Sequence, residues 1–423
     1  MPVLRLIKAG TLTGGIREVR LCYSGSASEN YRIGRFILKI AMVVPWEETT
    51  PPKKYGGIEL VANNIAFRLR DYGHDVTILA TGDSEPDAKL LPIFEESTRK
   101  LPQSSDRIVR EAYTFLGISR VINVLRKQRF DIVHNHLGWR FLMFRDQIRQ
   151  PMLTTIHLNL DNKYEQDIYR RYAGHPFVSI SKSQREPMPE LNYVKNIYNG
   201  IRVFDFNYQK EHEGYLAFLG SFTAHKGPDK AIEIAKKSGK KLIMAGKIDP
   251  LKVRWFDKHI KPHIDDKQIV FVGELDHAEK NKLLGGAEAL LMPISWREPF
   301  GLVMAEALAC GTPVVATRLG SAPEVIKNNK SGFLCDDIDC MVSCVKKLGQ
   351  IKRSDCRHEA VSRFSTKAMT EKYIQTYRKI IREEKDYRFR NHGGFVNKIK
   401  ESGSTTKAKL KQTGQRAKRK ISK

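Results

Sequence analysis

The sequence has no apolar run near the roughly 18–20 residues that a membrane-spanning helix needs. Its longest candidate, FILKIAMVVP at 36–45, is broken by Lys39 and stopped by Pro45, which suits a buried strand. Residues 1–35 hold scattered Arg and Gly with no apolar stretch of signal-peptide length and no cleavage pattern, so export is not expected and a cytoplasmic protein is. Cysteine is sparse: Cys22, Cys310, Cys335, Cys340, Cys344 and Cys356 include no CxxC pair and no histidine at zinc spacing. They read as reduced, mostly buried thiols, and no metal site is expected from them.

What is present points to a large globular protein. A chain of 423 residues exceeds one ordinary core and fits two domains of roughly 150–200 residues each. Hydrophobic residues make up 41% of it and are spread along its length. The net charge of +26 is not: from Arg388 to the end, twelve Lys and Arg face the single acid Glu401. That basic tail, 388–423, reads as a disordered, solvated extension. A second reading lays it on anionic lipid headgroups, at about 1 kcal/mol per basic residue near the surface. No aromatic follows Phe395, so nucleic acid is not an expected partner.

Short apolar runs alternate with amphipathic stretches. FILKIAMVV, HDVTILAT, FDIVHNH, PMLTTIH and PFVSIS read as strands of a covered parallel sheet. Between the first two, Ile58, Val61, Ile65 and Leu69 recur at helical spacing and Gly73 gives a stop. A second series follows: YLAFLG, KLIMAG, IVFVG, ALLMP and PVVAT. Two such series predict two Rossmann-like domains, joined near 198–214, with a ligand cleft between them. The stretch MFRDQIRQ at 143–150 reads as a core helix, or alternatively as a basic amphipathic face for a membrane.

Three constellations carry chemistry. Gly56-Gly57 precedes a predicted helix, where a tight turn and free N–H groups suit an anion, although many turns hold two glycines for conformation alone. In GSFTAHKGPDKAI a strand ends at Gly220, and Lys226 stands before Gly227 and a helix, placed to reach a phosphate; a solvated loop lysine is the plainer reading. In REPFGLVMAEALACGTPVVAT, Pro299 suits the first turn of a helix ending at Gly311. On that reading Glu298 lies beside the N–H groups of Phe300, Gly301 and Leu302, and Glu306, about 80° further round the helix, serves a second set of hydroxyls. His134, His136 and His157 close predicted strands and so face the crevice, with Asp161 and Arg185 as further candidates.

The order of YGGIE, HKGPDKAI and EPFGLVMAEALACGTPVVAT…GSAPEVI resembles the retaining glycosyltransferases of family four. The likeness covers about residues 37–385. It implies an α/β, GT-B fold: an N-terminal extension at 1–36, an acceptor-side domain at 37–205 with 367–387 crossing back to it, and a nucleotide-sugar domain at 206–366. It also implies transfer of a hexose from a nucleotide-diphosphate sugar, with retention, to a glycan, lipid-linked or small-molecule acceptor, without metal or other cofactor. By resemblance Glu298 contacts the donor sugar, Glu306 the ribose, Lys226 the diphosphate, Gly56 and Gly57 approach that diphosphate, and His136 lies near sugar and acceptor. Glu298, His136 and Lys226 are expected to carry the chemistry, and His157 to line the cleft. One departure stands out: the family commonly has arginine where this chain has Ser221, and His225 is the expected partial substitute. That leaves open a weakened sugar-nucleotide-binding scaffold, or another GT-B enzyme such as an epimerase or phosphorylase.

Overall fold

The computed structural model describes residues 37–386 except 54, 55 and 105. Expectations placed on the N-terminal extension, on Cys22, on Tyr55 and on the basic tail with its lipid contact fall outside them. The first sheet contains β1 (Lys39–Val43), β2 (Asp75–Thr81), β3 (Lys89–Phe94), β4 (Ile132–Asn135), β5 (Met152–Ile156), β6 (Phe177–Ser179) and β7 (Tyr193–Asn196). All seven strands are parallel, in the order β3-β2-β1-β4-β5-β6-β7. The second holds β8 (Tyr215–Leu219), β9 (Leu242–Ala245), β10 (Ile269–Phe271), β11 (Ala287–Met292), β12 (Val314–Thr317) and β13 (Gly332–Cys335), also parallel, ordered β10-β9-β8-β11-β12-β13.

The continuous apolar runs have the physical origin expected of them. Along β1 the two-residue period sends Ile40 and Met42 into one core and Ala41 and Val43 into another, so both faces of the sheet are covered by helices. Three strands escape the sequence reading. Of these, β3 and β7 are edge strands with half-exposed side chains, and β3 carries Pro92, which an edge tolerates because one ladder goes unused. The third, β13, is the edge strand of the second sheet, with all four of its residues buried.

The chain returns to the first domain at its end. A helix over 366–386 lays Met369, Tyr373, Tyr377, Ile380 and Ile381 into the same core as Ile40 and Ile132. Tyr377 Oη lies 2.8 Å from His134 Nδ1, and Tyr373 Oη 3.0 Å from Thr155 Oγ1. The stretch 143–150 forms neither proposed helix: it contains a 3-10 turn at Arg145–Gln147, where Arg145 Nη1 donates to the Ile148 carbonyl at 2.7 Å. Four of its eight residues are basic or amide, too few apolar groups to seat a helix on the core. No helix among the described residues is long and apolar enough to cross a membrane.

Candidate active site

Both sheets reverse strand order once, between β1 and β4 and between β8 and β11. Loops leaving neighbouring parallel strands diverge at such a point and open a crevice at the carboxyl ends. A cavity of about 1380 Å³ occupies the space between these two edges. Gly56 and Gly57 reach it after β1, His136 after β4, Ser221 and Lys226 after β8, and Glu298 to Leu302 after β11. His157 and Glu306 line it as well, so one cavity gathers every residue to which the resemblance gave a place in the site. Asp161 and Arg185 are not on its wall. Arg185 is turned away, its Nε donating to Ser179 Oγ at 2.7 Å with the guanidinium over the Tyr193 ring.

Two helices point their N-termini at the cavity from opposite domains. Helix Gly57–Asp71 begins there, capped by Gly56, and helix Leu302–Cys310 begins there, capped by Gly301. A side chain built on Gly57 would meet Leu302 Cδ1 at 3.6 Å, so the two helix starts nearly touch across the cleft. Unpaired N–H groups at both create a positive lining suited to an anion. Gly301 has φ 72°, so glycine is favoured there by conformation, and a Cβ would come within 2.7 Å of Met304 Cε and displace the end of that side chain.

That start corrects the sequence reading. Pro299 lies in the loop before the helix, which begins only at Leu302. The 80° relation between Glu298 and Glu306 therefore does not apply, because no continuous helix joins them. Positive φ at Gly301 breaks the turn and lets Glu298 approach from the loop. The Phe300 side chain serves the core, packed against Tyr198 and Phe364, and only its backbone is available to a ligand.

Each glutamate is buried and ion-paired. Lys226 Nζ donates to Glu298 Oε2, and Trp296 Nε1 donates to the same oxygen at 3.0 Å. Lys226 also stands 4.7 Å from the centroid of the Trp296 ring. Glu306 Oε1 accepts from Lys280 Nζ at 2.6 Å. Trp296 and Lys280 were not singled out by sequence; Trp296 lies only two residues before Glu298, and Lys280 reaches Glu306 from helix His277–Gly286. Two further wall residues were missed. Lys247 follows β9, and its carbonyl accepts from Phe222 N at 3.0 Å, which brings a second lysine beside Ser221. Glu59, in the first turn of its helix, has its pKa raised by burial to about 7.

His225 lines the cavity but brings no positive charge in place of the absent arginine. Burial and the neighbouring Lys226 both lower its pKa, so it is neutral at pH 7. His136 is part of a buried chain: its Nδ1 lies 2.8 Å from His157 Nε2, and its Nε2 lies 3.2 Å from His134 Nδ1. Burial pushes all three imidazoles down, His157 to about 3. His134 is fully enclosed and off the cavity wall, so it supports His136 from behind. The whole arrangement can hold a diphosphate on lysines and helix N-termini while carboxylates accept from sugar hydroxyls.

The two halves of the chain match two family profiles, "Glycosyltransferase Family 4" over residues 55–203 and "Glycosyl transferases group 1" over 202–367. An uncharacterized glycosyltransferase of Methanocaldococcus jannaschii is 26% identical over 70% of this chain and 84% of its own length. A solved structure of sucrose-phosphate synthase from Thermosynechococcus elongatus superposes with TM-score 0.67 at 16% identity, covering 81% of this chain and 99% of that one. HepE from Anabaena, in complex with UDP and glucose, superposes with TM-score 0.63 at 16% identity, covering 80% and 99%.

Proposed function

Because the chain belongs to the group 1 glycosyltransferases of family 4 and has their GT-B fold, we propose that it moves a hexose from a nucleotide-diphosphate sugar to an acceptor hydroxyl with retention at the anomeric carbon. The observation that carries this reading is the pair of buried ion pairs, Lys226 with Glu298 and Lys280 with Glu306, on one wall between two helix N-termini. Glu306 accepts from the ribose hydroxyls, and Glu298 from the sugar hydroxyls. Lys226, Lys247 and the amides at Gly57 and Leu302 neutralise the diphosphate as it leaves, where preorganised charge contributes most. His136, neutral and held by its histidine neighbours, contacts the sugar on the acceptor side. No side chain is assigned as a covalent nucleophile; the acceptor hydroxyl enters on the same face as the leaving diphosphate. A glycan, lipid-linked or small-molecule acceptor fits the open first-domain wall.

A thermal-shift panel of UDP, GDP and ADP hexoses tests the reading. One donor at about 100 times its Kd should stabilise the protein by roughly 2.7 kcal/mol, and Glu306→Ala should abolish that shift. Proton NMR of the product's anomeric signal then reads retention or inversion. Inversion, or a panel in which nothing stabilises the protein, overturns the proposal. A donor that binds and is never turned over with any acceptor favours the scaffold reading, for which the missing arginine at 221 is the motive.

A further inference from the structure

Cys335, Cys340 and Cys344, too irregularly spaced to register as a motif, meet on the outer side of the second domain. Cys335 closes β13, and Cys340 and Cys344 follow on one face of helix Ile338–Val345, one turn apart. Their three sulfurs lie within 4.8 Å of one another, with Cys335 Sγ and Cys344 Sγ 3.5 Å apart. Tetrahedral metal–sulfur bonds of about 2.3 Å place sulfurs roughly 3.8 Å apart, so small rotations bring all three to one centre. Cys335 is buried while Cys340 and Cys344 are half-buried, which leaves a side open to solvent.

We propose that these three thiols form a binding site for a thiophilic d10 cation such as Zn2+, with the fourth position open to water or an external thiol. The surroundings favour a sulfur-only set. Asp337 caps the helix that carries Cys340, its Oδ1 accepting from Cys340 N–H at 2.7 Å. Two neighbouring carboxylates are committed elsewhere, Asp339 to Lys237 at 2.9 Å and Asp336 to Arg318 at 3.1 Å, so the ligand set is sulfur alone. Binding must release protons: one M2+ and three S–H groups give one metal tris-thiolate and three H+, and affinity rises with pH. None of the three lines the donor cavity, so this site is independent of the glycosyl-transfer reading.

The test is Co2+ titration of the reduced full-length protein under anaerobic conditions, followed by displacement with Zn2+. One equivalent should produce a sulfur-to-cobalt charge-transfer band that Zn2+ abolishes. Cys340→Ser and Cys344→Ser, both at half-exposed positions, should each weaken binding on the order of 100-fold, while Cys310→Ser should not. Absence of the band, or a band that persists in both serine variants, overturns the proposal. So does a Cys335–Cys344 disulfide found by mass spectrometry after air oxidation in a protein that takes up no Co2+.

Discussion

Replacing Glu298 by glutamine should tighten the grip on a bare nucleoside diphosphate while stopping sugar transfer. Lys226 is held by Glu298, so a diphosphate gains Lys226 only by drawing it away. Two unit charges about 3 Å apart at an effective dielectric near 20 attract by roughly 5 kcal/mol before desolvation is subtracted. A charge-assisted hydrogen bond contributes about 1.5–3 kcal/mol net. Glutamine keeps an acceptor for Lys226 but loses the charge, and it removes the repulsion between a buried carboxylate and the incoming phosphates. The expected gain is about 1–2 kcal/mol, or roughly 5- to 30-fold tighter binding. Lys226→Met works in the opposite direction. It costs about 1.5–3 kcal/mol of diphosphate affinity and leaves Glu298 with Trp296 as its remaining partner of the two. Calorimetry with UDP, GDP and ADP at fixed ionic strength measures both variants against the parent. If Glu298→Gln weakens every nucleoside diphosphate as much as Lys226→Met does, the two groups do not compete and the reasoning fails.

Lys280→Met should strand Glu306, whose side chain is 7% exposed. The cost is about 3 kcal/mol, and the melting temperature should fall by roughly 6–12 °C; adding Glu306→Gln should recover most of it, and a double variant as unstable as the single one refutes the pairing. Lys247→Met should weaken nucleoside-diphosphate binding about tenfold, and Ser221→Arg should restore it in that background; calorimetry that shows no rescue removes Lys247 from the diphosphate site. His157 titrates near 3 when folded, against about 6.5 unfolded. Its stabilising effect is fully present above pH 6.5 and is lost as pH falls toward 3, by up to about 1.4 kcal/mol per pH unit. Urea midpoints at pH 7, 6 and 5 should therefore decline less steeply in His157→Asn, and an unchanged slope contradicts the burial argument.

Much of the site was legible because its signals are local. Glycines before a helix, a lysine before Gly227, and a glutamate ahead of an apolar helix each report on backbone within a few residues. Trp296 and Lys247 were missed for a different reason. A lysine beside a glycine and a tryptophan in a loop are ordinary in sequence, and only their position on the wall makes them part of the site. Glu59 is similar: it stands in the quoted YGGIE, yet its raised pKa comes from burial that no spacing reveals.

Apolar runs and their alternation with amphipathic stretches determined, from sequence alone, two parallel α/β sheets, since burial on both faces demands continuous hydrophobic strands. The glutamates of the second domain were equally plain. Tertiary structure decided everything that depends on distant segments meeting. It chose Lys226 and Lys280 as their partners, 72 and 26 residues away. Even between neighbours, it set the turn after β13 that lays helix Ile338–Val345 so that three unpatterned cysteines share one point. It also moved the helix start to Leu302, because positive φ at Gly301 is a property of the folded loop. Local sequence sets which conformations a segment favours; only packing of the whole chain sets which side chains share a buried space.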